Sequence, residues 1–209
     1  MSTAPSAAAV VEPKRQRGRL RVAAILQAAA ELFAERGFDA ATMTDIAARS
    51  GTAIGSLYRF FPNKDALAQA LLTRYRDGLD GALAEIEQRA GELLPAAIAD
   101  ALLDSMLALM PDRNAAVILL ETNSGVGDQR LAIRDMLLRR IAAILTAARM
   151  SPAGLSAVAM VVLQILKMAA PLASAQPGEP AGKAEVQALA ELRVVLRLYL
   201  SARLSGDPR

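Results

Sequence analysis

Apolar residues recur every three or four positions along most of the 209-residue chain, and short polar, glycine- or proline-bearing breaks separate the recurrences. That period matches the turn of an α-helix, and no stretch shows the alternation of a β-strand. Val22, Ile25, Leu26, Ala29, Leu32 and Phe33 form one stripe, predicting a first helix from about Arg19 to Arg36 that stops at Gly37. Thr44 is read as the N-cap of a second helix carrying Ile46, Ala47 and Ala48, broken at Gly51. A third, about Ala53 to Phe61, ends at Pro62, which has no N–H and disfavours helical geometry in the residue before it. Asn63 then caps a long helix running towards Arg89. Further helices are expected from Pro95 to Met110, Arg113 to Thr122, Asp128 to Arg149, Ser151-Pro152 to Leu172, and Lys183 to Leu204. Residues 174–182 are loop by composition. The fold class is all-α, with a three-helix amino-terminal module followed by a helical bundle.

Two short helices joined by a tight glycine turn are a helix-turn-helix, whose second helix fits a DNA major groove. Charge is distributed to match. Residues 1–65 hold nine Lys or Arg against six Asp or Glu, whereas the remainder is balanced. Lys14, Arg15, Arg17, Arg19 and Arg21 crowd into eight positions with no acid among them. Such a run favours a polyanion through counterion release, although a solvated tail has the same composition. The chain has no cysteine and no histidine. It therefore has no disulfide framework, histidine-based nucleophile system or ordinary zinc site, and no motif organises its carboxylates, lysines or tyrosines for catalysis. The reading is a non-enzymatic protein with no cofactor and no metal.

The segment Ser50-Gly51-Thr52-Ala53-Ile54-Gly55-Ser56-Leu57-Tyr58-Arg59-Phe60-Phe61-Pro62-Asn63-Lys64 closely resembles the DNA-binding segment of the tetracycline-repressor (TetR) family of transcriptional regulators. The preceding helix, Ile25 to Phe38, resembles it too. The specific likeness runs from about Arg21 to Lys64, roughly a quarter of the chain with its weaker extension to Tyr75. It implies a disordered basic arm over 1–18, a DNA-binding domain over 19–66, and a regulatory and dimerisation domain over 67–206.

Carried over residue by residue, the resemblance turns Thr52, Ala53, Ile54, Ser56 and Arg59 towards double-stranded DNA. Gly55 lets the backbone approach closely, and Thr44, Tyr58 and Lys64 hold phosphates. Arg59 is the candidate for a bidentate guanine contact. Ala53 and Ile54 depart from the family's usual polar residues; they can meet thymine methyl groups, or Ile54 can belong to the core. The resemblance further implies a homodimer through the last two helices, binding a palindromic operator as a ligand-released repressor in the cytoplasm, on the nucleoid.

The resemblance also implies an effector site, whose candidate wall is Leu103, Met106, Leu107, Met110, Val117, Leu120, Ile141, Val161 and Gln164, with Glu121, Gln164 and Lys167 as orienting polar groups. That set favours an uncharged or aliphatic compound. The alternative keeps DNA binding and replaces the sensor with a protein partner. Met1 to Pro13 lacks the basic start and apolar run of a secretory signal. Ala153 to Met168 raises the question of a membrane span, but Gln164 and Lys167 leave its uninterrupted part short of the ~20 residues needed. A core or subunit-interface helix is the reading there.

Overall fold

The computed structural model describes residues 14–122, 127–173 and 182–204. Among them the chain runs through α1 (Lys14–Ala40), α2 (Met43–Arg49), α3 (Ile54–Phe60), α4 (Lys64–Arg89), α5 (Pro95–Ala108), α6 (Met110–Thr122), α7 (Gly127–Ala147), α8 (Leu155–Ala173) and α9 (Lys183–Leu204), with no strand.

Local signals explain most of these boundaries. Gly37 adopts a left-handed φ of 80° inside α1, so regular helix ends there and only a short turn continues to Ala40. Gly51 (φ 61°) turns the chain between α2 and α3. Asn63 caps α4 by accepting a bond from the Ala66 N–H at 2.8 Å. Four boundaries differ from expectation. The first helix begins at Lys14, so residues 14–18 belong to α1 and not to a disordered arm; Met1 to Pro13 lie outside the described residues. Thr42, not Thr44, caps α2: its hydroxyl accepts from the Asp45 N–H while the Asp45 carboxylate reaches back to the Thr42 N–H. Thr44 sits inside the first turn. Pro111 falls in the first turn of α6, where its missing N–H costs nothing, so this helix starts earlier than Arg113. Ser151 and Pro152 form a turn that Gly154 (φ 81°) redirects, and α8 starts only at Leu155.

The reader module is α1, α2, α3 and the start of α4. Its interior holds Ile25, Phe33, Ile46, Leu57, Leu67 and Phe61, with the Phe33 and Phe38 rings 5.3 Å apart. Beyond it, α4 packs on α5, α6 and α7, while α8 and α9 close over α5. Leu, Ile and Ala fill that interior, and Arg–carboxylate pairs stitch the helices on its surface. Arg140 on α7 binds Asp80 and Glu87 of α4. Arg193 and Arg197 on α9 bind Asp100 of α5, and Arg193 also reaches Asp104. Helix α6 packs against both α1 and α4, linking body to reader.

Candidate nucleic-acid interface and effector cavity

Helix α3 has one fully buried residue, Leu57, which anchors it to the module. Ile54, Gly55, Tyr58 and Arg59 lie one and four residues apart along the helix, and all are exposed. They form an outward strip, with Ala53 exposed at its entrance. Ile54 is 41% and Tyr58 49% accessible, so Ile54 is no part of the core. Ser56 is half-buried at the edge of the strip. A Cβ built on Gly55 would meet nothing within 4 Å, so the protein's own packing does not demand glycine there. Among the described residues Arg59 forms no ion pair, leaving its guanidinium free for an outside partner. Thr44 is exposed on α2, and Arg17, Arg19 and Arg21 are exposed on α1.

Two predicted contact residues behave differently. Thr52 is only 8% accessible, the one buried polar residue described, because its N–H bonds back to the Ala47 carbonyl at 3.0 Å and folds the turn inward. It is a turn residue and does not stand on the outward strip. Lys64 turns its ammonium onto its own protein. Its Nζ donates to the carbonyls of Phe38 (2.7 Å), Asp39 (3.1 Å) and Ala41 (3.1 Å), and lies 4.5 Å from the centre of the Phe38 ring. Three N–H groups meet three carbonyls, so no donor remains for a phosphate. Lys64 locks the start of α4 to the end of α1. The lysine's place in the motif was legible, but its partners, 23 to 26 residues away, were not.

The body encloses a cavity of about 250 Å³ between α4, α5, α6, α7 and α8. Met106, Val117 and Leu120 line it as expected. Leu103, Leu107, Ile141, Val161 and Gln164 do not. Leu103 and Ile141 are buried in the core, Leu107 packs against it, and Val161 and Gln164 face outward from α8. The side chains of Met110 and Glu121 lie outside the described residues. Lys167, expected as an orienting polar group, also lines the cavity, together with Tyr75, Arg113, Ala116, Arg130, Ile133, Arg134, Leu137 and Leu163. An uncharged, aliphatic effector was inferred from an apolar wall, whereas this wall also carries four cations, of which Arg130, Arg134 and Lys167 are exposed. Arg113 is half-buried, and burial holds its guanidinium below its ordinary value while the facing Tyr75 opposes that shift. Burial likewise pushes the Tyr75 phenol up, with Arg113 pulling it back. Helix phase in α6 and α7 was the signal that could have set these arginines beside the cavity.

Helix α8 is long and apolar enough to cross a membrane by length and composition alone. One of its faces packs on α5, α7 and α9, and Lys167 stands exposed on another.

Residues 25–71 match the sequence model described as bacterial regulatory proteins, tetR family. An HTH-type transcriptional repressor of Mycobacterium tuberculosis (strain ATCC 25618 / H37Rv) is 44% identical over 97 residues, covering 44% of this chain and 52% of that protein. An uncharacterized HTH-type transcriptional regulator, YvdT of Bacillus subtilis (strain 168), is 41% identical over 75 residues, covering 34% of this chain and 38% of its own. The chain thus spans about half the length, or less, of the curated relatives it matches. In fold it is similar to a transcriptional regulator from Rhodococcus sp. Rha1, with a TM-score of 0.67 and 20% identity over 88% of this chain and 96% of that one. A tetR-family regulator from Mesorhizobium loti gives a TM-score of 0.65 at 16% identity over 93% and 98% of the two chains. Over residues 25–71 the chain is thus similar in sequence to the tetR family of bacterial regulatory proteins, and over most of its length it shares the fold of solved transcriptional regulators.

Proposed function

We propose that the protein is a sequence-specific DNA-binding transcriptional repressor, acting in the cytoplasm on the nucleoid as a homodimer at a palindromic operator and released by a small-molecule effector. The observation that carries this reading is the outward strip of α3: a seven-residue helix that gives its own core a single side chain and turns Ile54, Gly55, Tyr58 and Arg59 to the outside. A helix so presented suits a major groove, with Arg59 for a guanine and Ile54 for thymine methyl groups. Thr44, Tyr58 and the exposed arginines of α1 supply phosphate contacts, which position without specifying.

Dimerisation through the last two helices is supported by an apolar surface on them. Met160, Val161 and Met168 on α8, and Val194, Val195 and Leu198 on α9, are exposed and large. One reader offers little contact area, and pairing two of them on a two-fold site is the ordinary remedy. The cavity in the body favours a small-molecule sensor over control by a protein partner.

Genome-wide selection of DNA fragments by the purified protein tests the reading. A two-fold symmetric sequence with half-sites about one helical turn apart should be enriched, and random DNA should compete poorly for it. Equal competition by random DNA, or a monomer at micromolar concentration both with and without the selected site, would sink it.

A further inference from the structure

We infer that the cavity of the body takes a small organic anion, a carboxylate on an apolar body, with Arg113 and the Tyr75 hydroxyl seating its charged group. The inference rests on the reading of the protein as an effector-released repressor and adds the chemistry of the effector.

Arg113 is half-buried in the cavity wall, and among the described residues it forms no ion pair. Its sequence neighbour Asp112 is committed to Arg74. No Asp or Glu among the described residues lines the cavity. A guanidinium keeps its charge at neutral pH, and removing it from water without a counter-charge is unfavourable. An incoming carboxylate supplies the missing partner and can accept two parallel N–H bonds. Tyr75 lines the same cavity and offers a hydroxyl donor beside Arg113's charge. Arg130, Arg134 and Lys167 stand exposed around the same cavity and draw anions in, while Asp112, paired with Arg74, acts on Tyr75 and offsets part of that field. Asp135, which lies 3.6 Å from Arg134 on the exposed side of α7, offsets part of that field but does not line the cavity.

The rest of the wall, including Met106, Val117, Leu120 and Leu163, is apolar and suits a hydrocarbon body. A volume of about 250 Å³ is at the small end for a ligand pocket and holds on the order of eight to ten non-hydrogen atoms. A neutral compound of that size would further desolvate Arg113 without giving it a counter-charge; an amine would be repelled. The seat also spans the joint that matters for release. Tyr75 belongs to α4 and Arg113 to α6, and the residues just before them, Arg74 and Asp112, tie the same two helices together. Helix α4 leads out of the reader, and α6 packs on α1. An anion held at this seat acts on both connections between body and reader.

Titration calorimetry on the full-length protein tests the inference, with octanoate and benzoate set against octan-1-ol, benzyl alcohol and octylamine. The carboxylates should bind at least about tenfold more tightly than the matching alcohols, and the amine not at all. Arg113→Met should abolish the preference and Arg113→Lys should keep most of it, with circular dichroism and operator binding of both variants unchanged in the absence of ligand. If Arg113→Met does not fold, the wild-type preference and its weakening by salt decide the matter. Alcohols binding as well as carboxylates, no carboxylate binding, or an unchanged preference in folded Arg113→Met would overturn the inference. Intact operator binding in those cases would leave the repressor reading standing, whereas loss of all operator binding by the wild type would sink that reading instead.

Discussion

Around the reader, three short helices and the first turn of α4 close over aromatic rings, and nearly every boundary is set by a residue within a few positions: Gly37, the Thr42–Asp45 box, Gly51, Asn63. The body is built from longer helices packed through Leu, Ile and Ala, with Arg–carboxylate pairs joining segments 38 to 97 residues apart. The reader's constraints are local and conformational; those of the body are distant and depend on which face each helix turns inward. A substitution in the reader should therefore separate cleanly into one that damages the scaffold or one that damages recognition, while the body should yield smaller, distributed effects.

The largest effect is expected from Leu57→Ala. Removing the only side chain that fixes α3 should destabilise the reader by about 2–5 kcal/mol and abolish DNA binding, read from denaturant unfolding and gel shift. Helical signal from the body should persist; loss of the body as well would break the distinction between the two regions. Lys64→Met comes next, at about 1–3 kcal/mol of stability, because three carbonyls lose a charged donor. The dependence of DNA affinity on salt should keep its slope in this variant; a fall of about one in that slope would instead mark Lys64 as a phosphate ligand. Arg59→Ala should leave unfolding unchanged and weaken specific binding by about 1–3 kcal/mol, relaxing preference at one operator position. Gly55→Ala should leave the fold intact or slightly firmer, yet reduce operator affinity if the backbone must come close to DNA.

The smallest effect belongs to the body. Asp100 is held below its ordinary value of 3.8 first by the hydrogen bond from Arg197 and then by Arg193, against the opposing pull of burial. A depressed carboxylate contributes stability that is present above its unfolded value and disappears as pH falls through its folded value. Asp100→Asn should therefore lower the unfolding midpoint modestly at pH 7, as a partly exposed pair does, and the gap from wild type should narrow as pH drops below about 4.

How much was legible follows the same division. Helix existence, the glycine turn, the Asn63 cap and the exposed strip at residues 53–59 could be read from the chain, because turn chemistry and helix period act over a few residues. Thr44 was mistaken for a cap because Thr42 and Thr44 carry equal propensity, and only the reciprocal bond with Asp45 distinguishes them. The inward turn of Thr52 and the carbonyl cluster around Lys64 required knowing where α1 and α2 end in space. The cavity wall was least legible. Leu103 and Ile141 look like lining but are core, whereas Arg113 looks like surface and lines a cavity. Hydrophobicity ranks residues by the company they prefer, not by the helix face on which they fall.

Because α3 gives the interior a single leucine, the residues that face outward from it are nearly independent of folding. Substituting surface positions of this kind usually changes stability by only about half a kcal/mol. Descendants of this gene can thus exchange Ala53, Ile54, Tyr58 or Arg59 and acquire a different target site while inheriting the same scaffold, so divergence of binding preference need not pass through an unstable ancestor.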